Sequence, residues 1–392
     1  MAVLAEVPPV RGKNLFAIVL AVALSVLILV DVGMEQGIRK GALFCVGLAL
    51  GITLYASSFG FAGSWRAFLS EGRGAGLRGQ MLMLAMACLL FFPVIEVREL
   101  FGHRVGGFVA PVGLSVAVGA FLFGIGMQLG GACASGTLFT VGGGNSRMVV
   151  TLLFFIIGSV VATHHLGWWL ALPSFGPISV IRIFGAWPAL AMALTLFAGI
   201  AALSVWIEWR KHGRMVSHHR DGDTLRHPLW RGPWPWIWGG IALALLNFAT
   251  LALAGRPWGI TSAFALWGAQ GADALGIPVG DWDYWQRRTG ALSRSLLADT
   301  TSLMNFGIMI GALAAAGIAG KFSPGFRIGI RPAAAAIVGG LLLGYGARLA
   351  FGCNIGSFFS GTASGSLHGI LWLACAGVGN LLGLRLRPLF RL

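Results

Sequence analysis

Apolar runs of about eighteen or more residues recur along the whole chain, the length a helix needs to cross the ~30 Å hydrocarbon core of a bilayer. The pattern predicts ten such spans, near residues 15–32, 41–58, 79–95, 107–128, 147–163, 183–207, 234–253, 295–319, 333–350 and 368–385. Four shorter apolar segments lie between them, at about 60–70, 133–141, 260–271 and 354–361. These are too apolar for ordinary loops and too short to cross. Such lengths suit re-entrant half-helices, which persist at membrane depth only where protein or a polar cavity surrounds them. The expected fold is an all-α polytopic membrane protein with about nine to ten transmembrane helices and four half-helices.

Composition agrees. Charged residues make up only 10% of the chain, too few polar side chains to cover a water-facing surface. The first apolar span begins near Leu15 with no small-residue cleavage pattern after it, which predicts a retained helix. The net charge of +15 does not point to nucleic acid, because the basic residues sit in loops between spans. The most basic loop, 210–232, is expected to be cytoplasmic, and ten spans then place both termini inside. That assignment puts eighteen Lys and Arg inside against nine outside, with Arg348 within a span. A bacterial inner membrane is the expected location, with the lipid bilayer as the first partner.

The chain also resembles itself. A shift of 220 residues lays Cys133 on Cys353, and likewise Gly119 on Gly339, Gly124 on Gly344, Gly126 on Gly346 and Gly136 on Gly356. Upstream, FGFAGSWRAFL (59–69) matches WGITSAFALW (258–267), laying Gly60 on Gly259, and a polar insertion at 276–290 accounts for the unequal spacing. Two repeats are expected, 1–182 and 183–392. Five spans in each, an odd number, would turn the copies opposite ways, with the site between them near the midplane.

Both cysteine motifs, GGACASG and FGCNIG, interrupt a helix. A helix starting there exposes free backbone N–H groups and the positive end of its dipole, an anion cradle that needs no lysine. Gly131, Gly136, Gly352 and Gly356 let a ligand approach the backbone, while Ser135 and Asn354 supply polar atoms. Gly60, Gly259 and Thr261 open the other two half-helices and complete the candidate substrate-binding set. A cysteine adds a soft, polarizable sulfur with a weak S–H donor, suited to a small anion carrying a terminal sulfur. Cys45, Cys88 and Cys375 read as small apolar fillers. No CxxC, His/Cys cluster or dinucleotide fingerprint occurs, so no metal, cofactor or enzymatic reaction is expected. Gln128 and Arg348 lie just before the two breaks. An arginine at that depth is a functional suspect that equally snorkels or bonds a broken helix's carbonyls. Asp299 and Asn305 are further pathway candidates, and His164 and His165 read as interfacial.

At these residues the chain resembles the YeeE/YedE family of sulfur-transport membrane proteins. The resemblance rests on GIGMQLGGACASGTLF (124–139), RPWGITSAFALWG (256–268) and YGARLAFGCNIGSFFSG (345–361). It implies an hourglass-shaped permease whose cysteines pass thiosulfate along by S–H···S contacts, Cys133 and Cys353 matching two of them. It also implies a small cytoplasmic sulfur-carrier protein as acceptor. A third family cysteine is replaced here, in Phe59-Gly60-Phe61, by Gly60. Another sulfur or selenium substrate, a membrane thiol-redox protein and a passive channel stay open as alternatives.

Overall fold

In a bilayer no water satisfies backbone N–H and C=O groups, so each apolar run closes its own hydrogen bonds as a helix. The computed structural model describes residues 13–216, 232–325 and 328–392. Most of the basic loop 210–232 therefore lies outside the described residues. In chain order the first half comprises α1 (Leu15–Glu35), α2 (Ile38–Ser57), α3 (Phe61–Glu71), α4 (Ala75–Val97), the hairpin β1 (Glu99–Leu100) and β2 (His103–Arg104), β3 (Pro111–Gly113), α5 (Leu114–Gly130), α6 (Ala134–Gly142) and α7 (Ser146–Leu170). After β4 (Ser174–Pro177) and α8 (Val180–Phe184) come α9 (Ala186–His212), α10 (Trp236–Ala254), α11 (Thr261–Ala274), α12 (Asp283–Gln286), α13 (Thr289–Leu292), α14 (Thr300–Ile318) and α15 (Ile330–Leu349). A π-helix (Asn354–Ser360), α16 (Gly361–Ala363) and α17 (His368–Leu386) close the chain.

Among the described residues ten helical units are long and apolar enough to cross a membrane, built on α1, α2, α4, α5, α7, α9, α10, α14, α15 and α17. The protein is an all-α polytopic membrane protein. The four predicted half-helices are α3, α6, α11 and the π-helix with α16. At 1.5 Å per residue, the eleven residues of α3 and nine of α6 fall far short of ~30 Å. One predicted span starts late. Residues 107–113 are extended, and β3 pairs antiparallel with β4, because Gly106, Gly107, Pro111 and Gly113 deny the segment a helix. The sixth span likewise runs 186–212 instead of 183–207.

Packing follows the same order twice. α2 lies against α14 as α10 lies against α4; α5 meets α17 as α15 meets α7; α1 flanks α14 as α9 flanks α4. Glycines make these approaches close. A Cβ on Gly124 would strike the Ala376 carbonyl, and one on Gly344 the Phe155 carbonyl. At the centre α5 and α15 cross reciprocally. A Cβ at Gly346 would lie 2.5 Å from the Gly119 oxygen, and one at Gly126 2.9 Å from the Gly339 oxygen. Without a hydrophobic drive between helices in lipid, such backbone-to-backbone contact supplies the van der Waals attraction that joins them.

The offset between the halves is not constant. Gly124 and Gly344 differ by 220, but their partners Phe155 and Ala376, or Ser159 and Asn380, differ by 221. The extra residue falls between the cysteines and the following span, where the second half carries the π-helix. Its Phe358 N–H reaches back five residues to the Cys353 carbonyl, the wide turn that one inserted residue produces.

Candidate functional site

The two breaks are built alike. α5 ends at Gly131, whose φ of 92° is a left-handed conformation that suits glycine, and Cys133 then caps α6. α15 ends before Phe351, a non-glycine residue at φ 59°, and Cys353 caps the π-helix. A side chain at Gly352 would stand 2.8 Å from the Ser357 nitrogen, so this tight corner also requires glycine. Each cap is a thiol, so each sulfur lies among the unpaired N–H groups of a helix start.

Gly136 N–H donates to Cys133 Sγ at 3.4 Å, and Ser135 Oγ lies 3.4 Å from the same sulfur. The Phe61 N–H, at the start of α3, also points to it. Across the gap, Ile355 N–H donates to Cys353 Sγ at 3.4 Å, joined by the Gly356 N–H. The thiols are close enough for charge on Cys133 to act on Cys353. Both are buried. The structure thus gathers Cys133, Cys353, Ser135, Gly136, Gly356 and the Gly60–Phe61 junction around one point. Gly60 itself is roomy: a Cβ there would meet only the Ser58 carbonyl, 3.8 Å away.

Several other polar side chains near the two breaks are occupied elsewhere. Thr137 Oγ1 donates to the Cys133 carbonyl, Ser357 Oγ to the Ala350 carbonyl and Ser360 Oγ to the Trp258 carbonyl. Asn145 caps α7. Asn354 differs. It is fully buried beside Cys353, and neither its Oδ1 nor its Nδ2 has a partner. A buried amide with both ends unmet costs free energy unless something polar visits it. The hydrogen bonds at the start of α11 lead away from the thiols. Residues 258–260 bond Asn247, Ser360 and Asn305, so Gly259 and Thr261 sit at the far end of the π-helix. Asn305 has this anchoring role, and Asp299 caps α14 through Ser302.

Gln128 donates to Asn380 Oδ1 at 2.7 Å and to the Ala62 carbonyl at 3.3 Å, locking α5, α17 and α3 together. Arg348 bonds a side chain instead of a broken helix's carbonyl: it donates to Tyr284 Oη at 3.1 Å and lies over that ring. His164 packs edge-on against Trp282, and His165 lies 3.2 Å from Tyr345 Oη. The sequence reading missed Asn247, Asn380 and His368. Each is a single polar residue within or opening an apolar span, a signal for inward-facing groups.

Ten membrane-length helices among the described residues, with two helices broken at neighbouring buried thiols, are the architecture of a membrane transport protein. The sequence pattern of the Sulphur transport family matches residues 56–382, and the chain belongs to that family. It is 30% identical over 353 residues to the thiosulfate transporter TsuA of Spirochaeta thermophila, covering 84% of this chain and 92% of that protein. Identity to TsuA of Escherichia coli is 24% over 349 residues, covering 84% and 89%. A shorter match, 34% over 164 residues, links it to the probable transporter YedE of Escherichia coli, covering 41% and 40%.

Proposed function

We propose that the protein is an inner-membrane permease for uptake of thiosulfate, with Cys133 and Cys353 contacting the terminal sulfur. In the empty protein the N–H groups of residues 61, 136, 355 and 356 donate to the two sulfurs; on binding they turn, with Ser135 and the free Asn354 amide, to the oxygens. The observation that carries this reading is the pair of buried thiol caps, one of them beside an amide with no partner. A terminal sulfur is soft and weakly hydrated, so S–H donors suit it, while backbone N–H groups suit the hard oxygens. No bond to sulfur breaks; the anion moves between two S–H donors. The names of the full-length relatives support the substrate.

The reciprocal packing supports two inverted repeats that meet near residues 182–183. Positive charge supports both termini and the loop 210–232 being cytoplasmic. A small sulfur-carrier protein is the acceptor on that side. Uptake of labelled thiosulfate into cells lacking other uptake routes tests the reading. Cys133→Ser and Cys353→Ser should each abolish it, and Cys45→Ser, at an exposed cysteine, should not. Full uptake by both pore variants would overturn the mechanism.

A further inference from the structure

Behind the Cys133 break, three arginines from three elements converge. Arg147, at the start of α7, donates from Nη2 to the Leu129 carbonyl at 2.7 Å. Arg387, just past α17, donates from Nη1 to the Gln128 carbonyl at 2.9 Å. These are adjacent carbonyls at the end of α5, so both guanidiniums gather beneath Gly131. A Cβ there would lie 3.7 Å from Arg147 Nη1. Arg66 lies one helical turn beyond Ala62, whose carbonyl Gln128 holds, and so on the same face of α3. All three are close enough to repel one another.

The negative end of α5 explains part of this arrangement, since cations favour helix C-termini. It uses one N–H from each of two guanidiniums that carry five apiece. Arg147 Nε is shielded from solvent and has no partner. Among the described residues, the two ion pairs are Arg73–Glu71 and Arg78–Glu208, and neither involves the trio. Three clustered cations with spare donors and no carboxylate call for an anion. The other break carries a different arrangement: Arg348, in the last turn of α15, lies with Arg288 on the Tyr284 ring, and the trio has no counterpart there. At the 221-residue offset Arg147 corresponds to His368 and Arg387 to Leu166, and residues 265–268 of α11, which correspond to Arg66, are uncharged.

We propose that Arg66, Arg147 and Arg387 form a second anion site, on the cytoplasmic side of the cysteines, which takes a thiosulfate-like tetrahedral dianion as it leaves them. The proposal rests on Cys133 and Cys353 forming the constriction. A three-cation cluster against the Cys133 break draws the anion off the thiols, and its loss slows release.

Calorimetric titration of thiosulfate into the full-length Cys133→Ala/Cys353→Ala protein in neutral phosphatidylcholine nanodiscs isolates this site. Binding should persist there, weaken on the order of tenfold with Arg66→Gln or Arg147→Gln, and survive Arg147→Lys within a few-fold. A monodisperse elution profile verifies that each variant is folded. Absence of binding in the double cysteine variant, or equal affinity in Arg66→Gln, overturns the second site and leaves the cysteine constriction standing. Uptake unaffected by the cysteine changes does the reverse. Loss of binding when phosphatidylglycerol is added makes a lipid headgroup the occupant and also overturns the proposal.

Discussion

Asn354→Leu separates stability from transport. Asn354 is fully buried with both amide atoms unpartnered, and leucine has nearly its shape. Each unmet buried polar group costs about 1–3 kcal/mol, so removing the amide should stabilise the empty protein by about 1–3 kcal/mol in all, since a visiting water offsets part of the cost. The same change removes the group proposed to meet the anion's oxygens. Wild type should gain stability with thiosulfate, about 2.7 kcal/mol at a hundredfold excess over Kd, and the variant should gain far less. Thermal unfolding followed by the fifteen tryptophans reads both effects, and labelled uptake reads the third. The expected signature is a higher apo midpoint, a lost ligand shift and lost uptake. A lower apo midpoint, or a ligand shift equal to wild type, would refute the reasoning.

Gly60→Cys should fold normally, since its φ of −104° suits any residue and the space is open, and mild oxidation should join it to Cys133. Failure to cross-link would place Cys133 away from the start of α3. Gly124→Ala should lower the thermal midpoint severely by forcing α5 from α17, while Gly63→Ala, which meets nothing within 4 Å, should leave it unchanged. Equal midpoints would contradict the packing. Gly131→Ala should cost about 1–2 kcal/mol for the left-handed backbone, read as a lower midpoint; an unchanged one would mean the break is not held there.

The spans were legible because length and apolarity alone decide what crosses a bilayer. The Cys133 and Cys353 breaks were legible because glycine clusters interrupt otherwise continuous helices. Residues 107–113 misled because Phe108, Val109, Ala110 and Val112 extend the apolar run, while the backbone preferences of their neighbours oppose helix. The Asn247–Trp258–Ser360 network joins residues over a hundred positions apart, which no local pattern encodes. Asn354 was found by its position beside Cys353, but its lack of partners is a property of three-dimensional surroundings. The arginine trio was visible only as scattered loop charge, because α3, α7 and the chain end meet only on folding.

A pore with perfect twofold symmetry presents the same free-energy profile to a solute arriving from either face. The wide turn at Asn354–Ser360 breaks that equality with one amino acid. Its extra peptide unit belongs to one half alone, so a solute meets the same barriers in a different order from each face. Removing a single residue from that turn would draw the two barriers together. Half-saturation concentrations for uptake and for efflux, measured separately in vesicles, would then report how much of the asymmetry resides in one peptide unit.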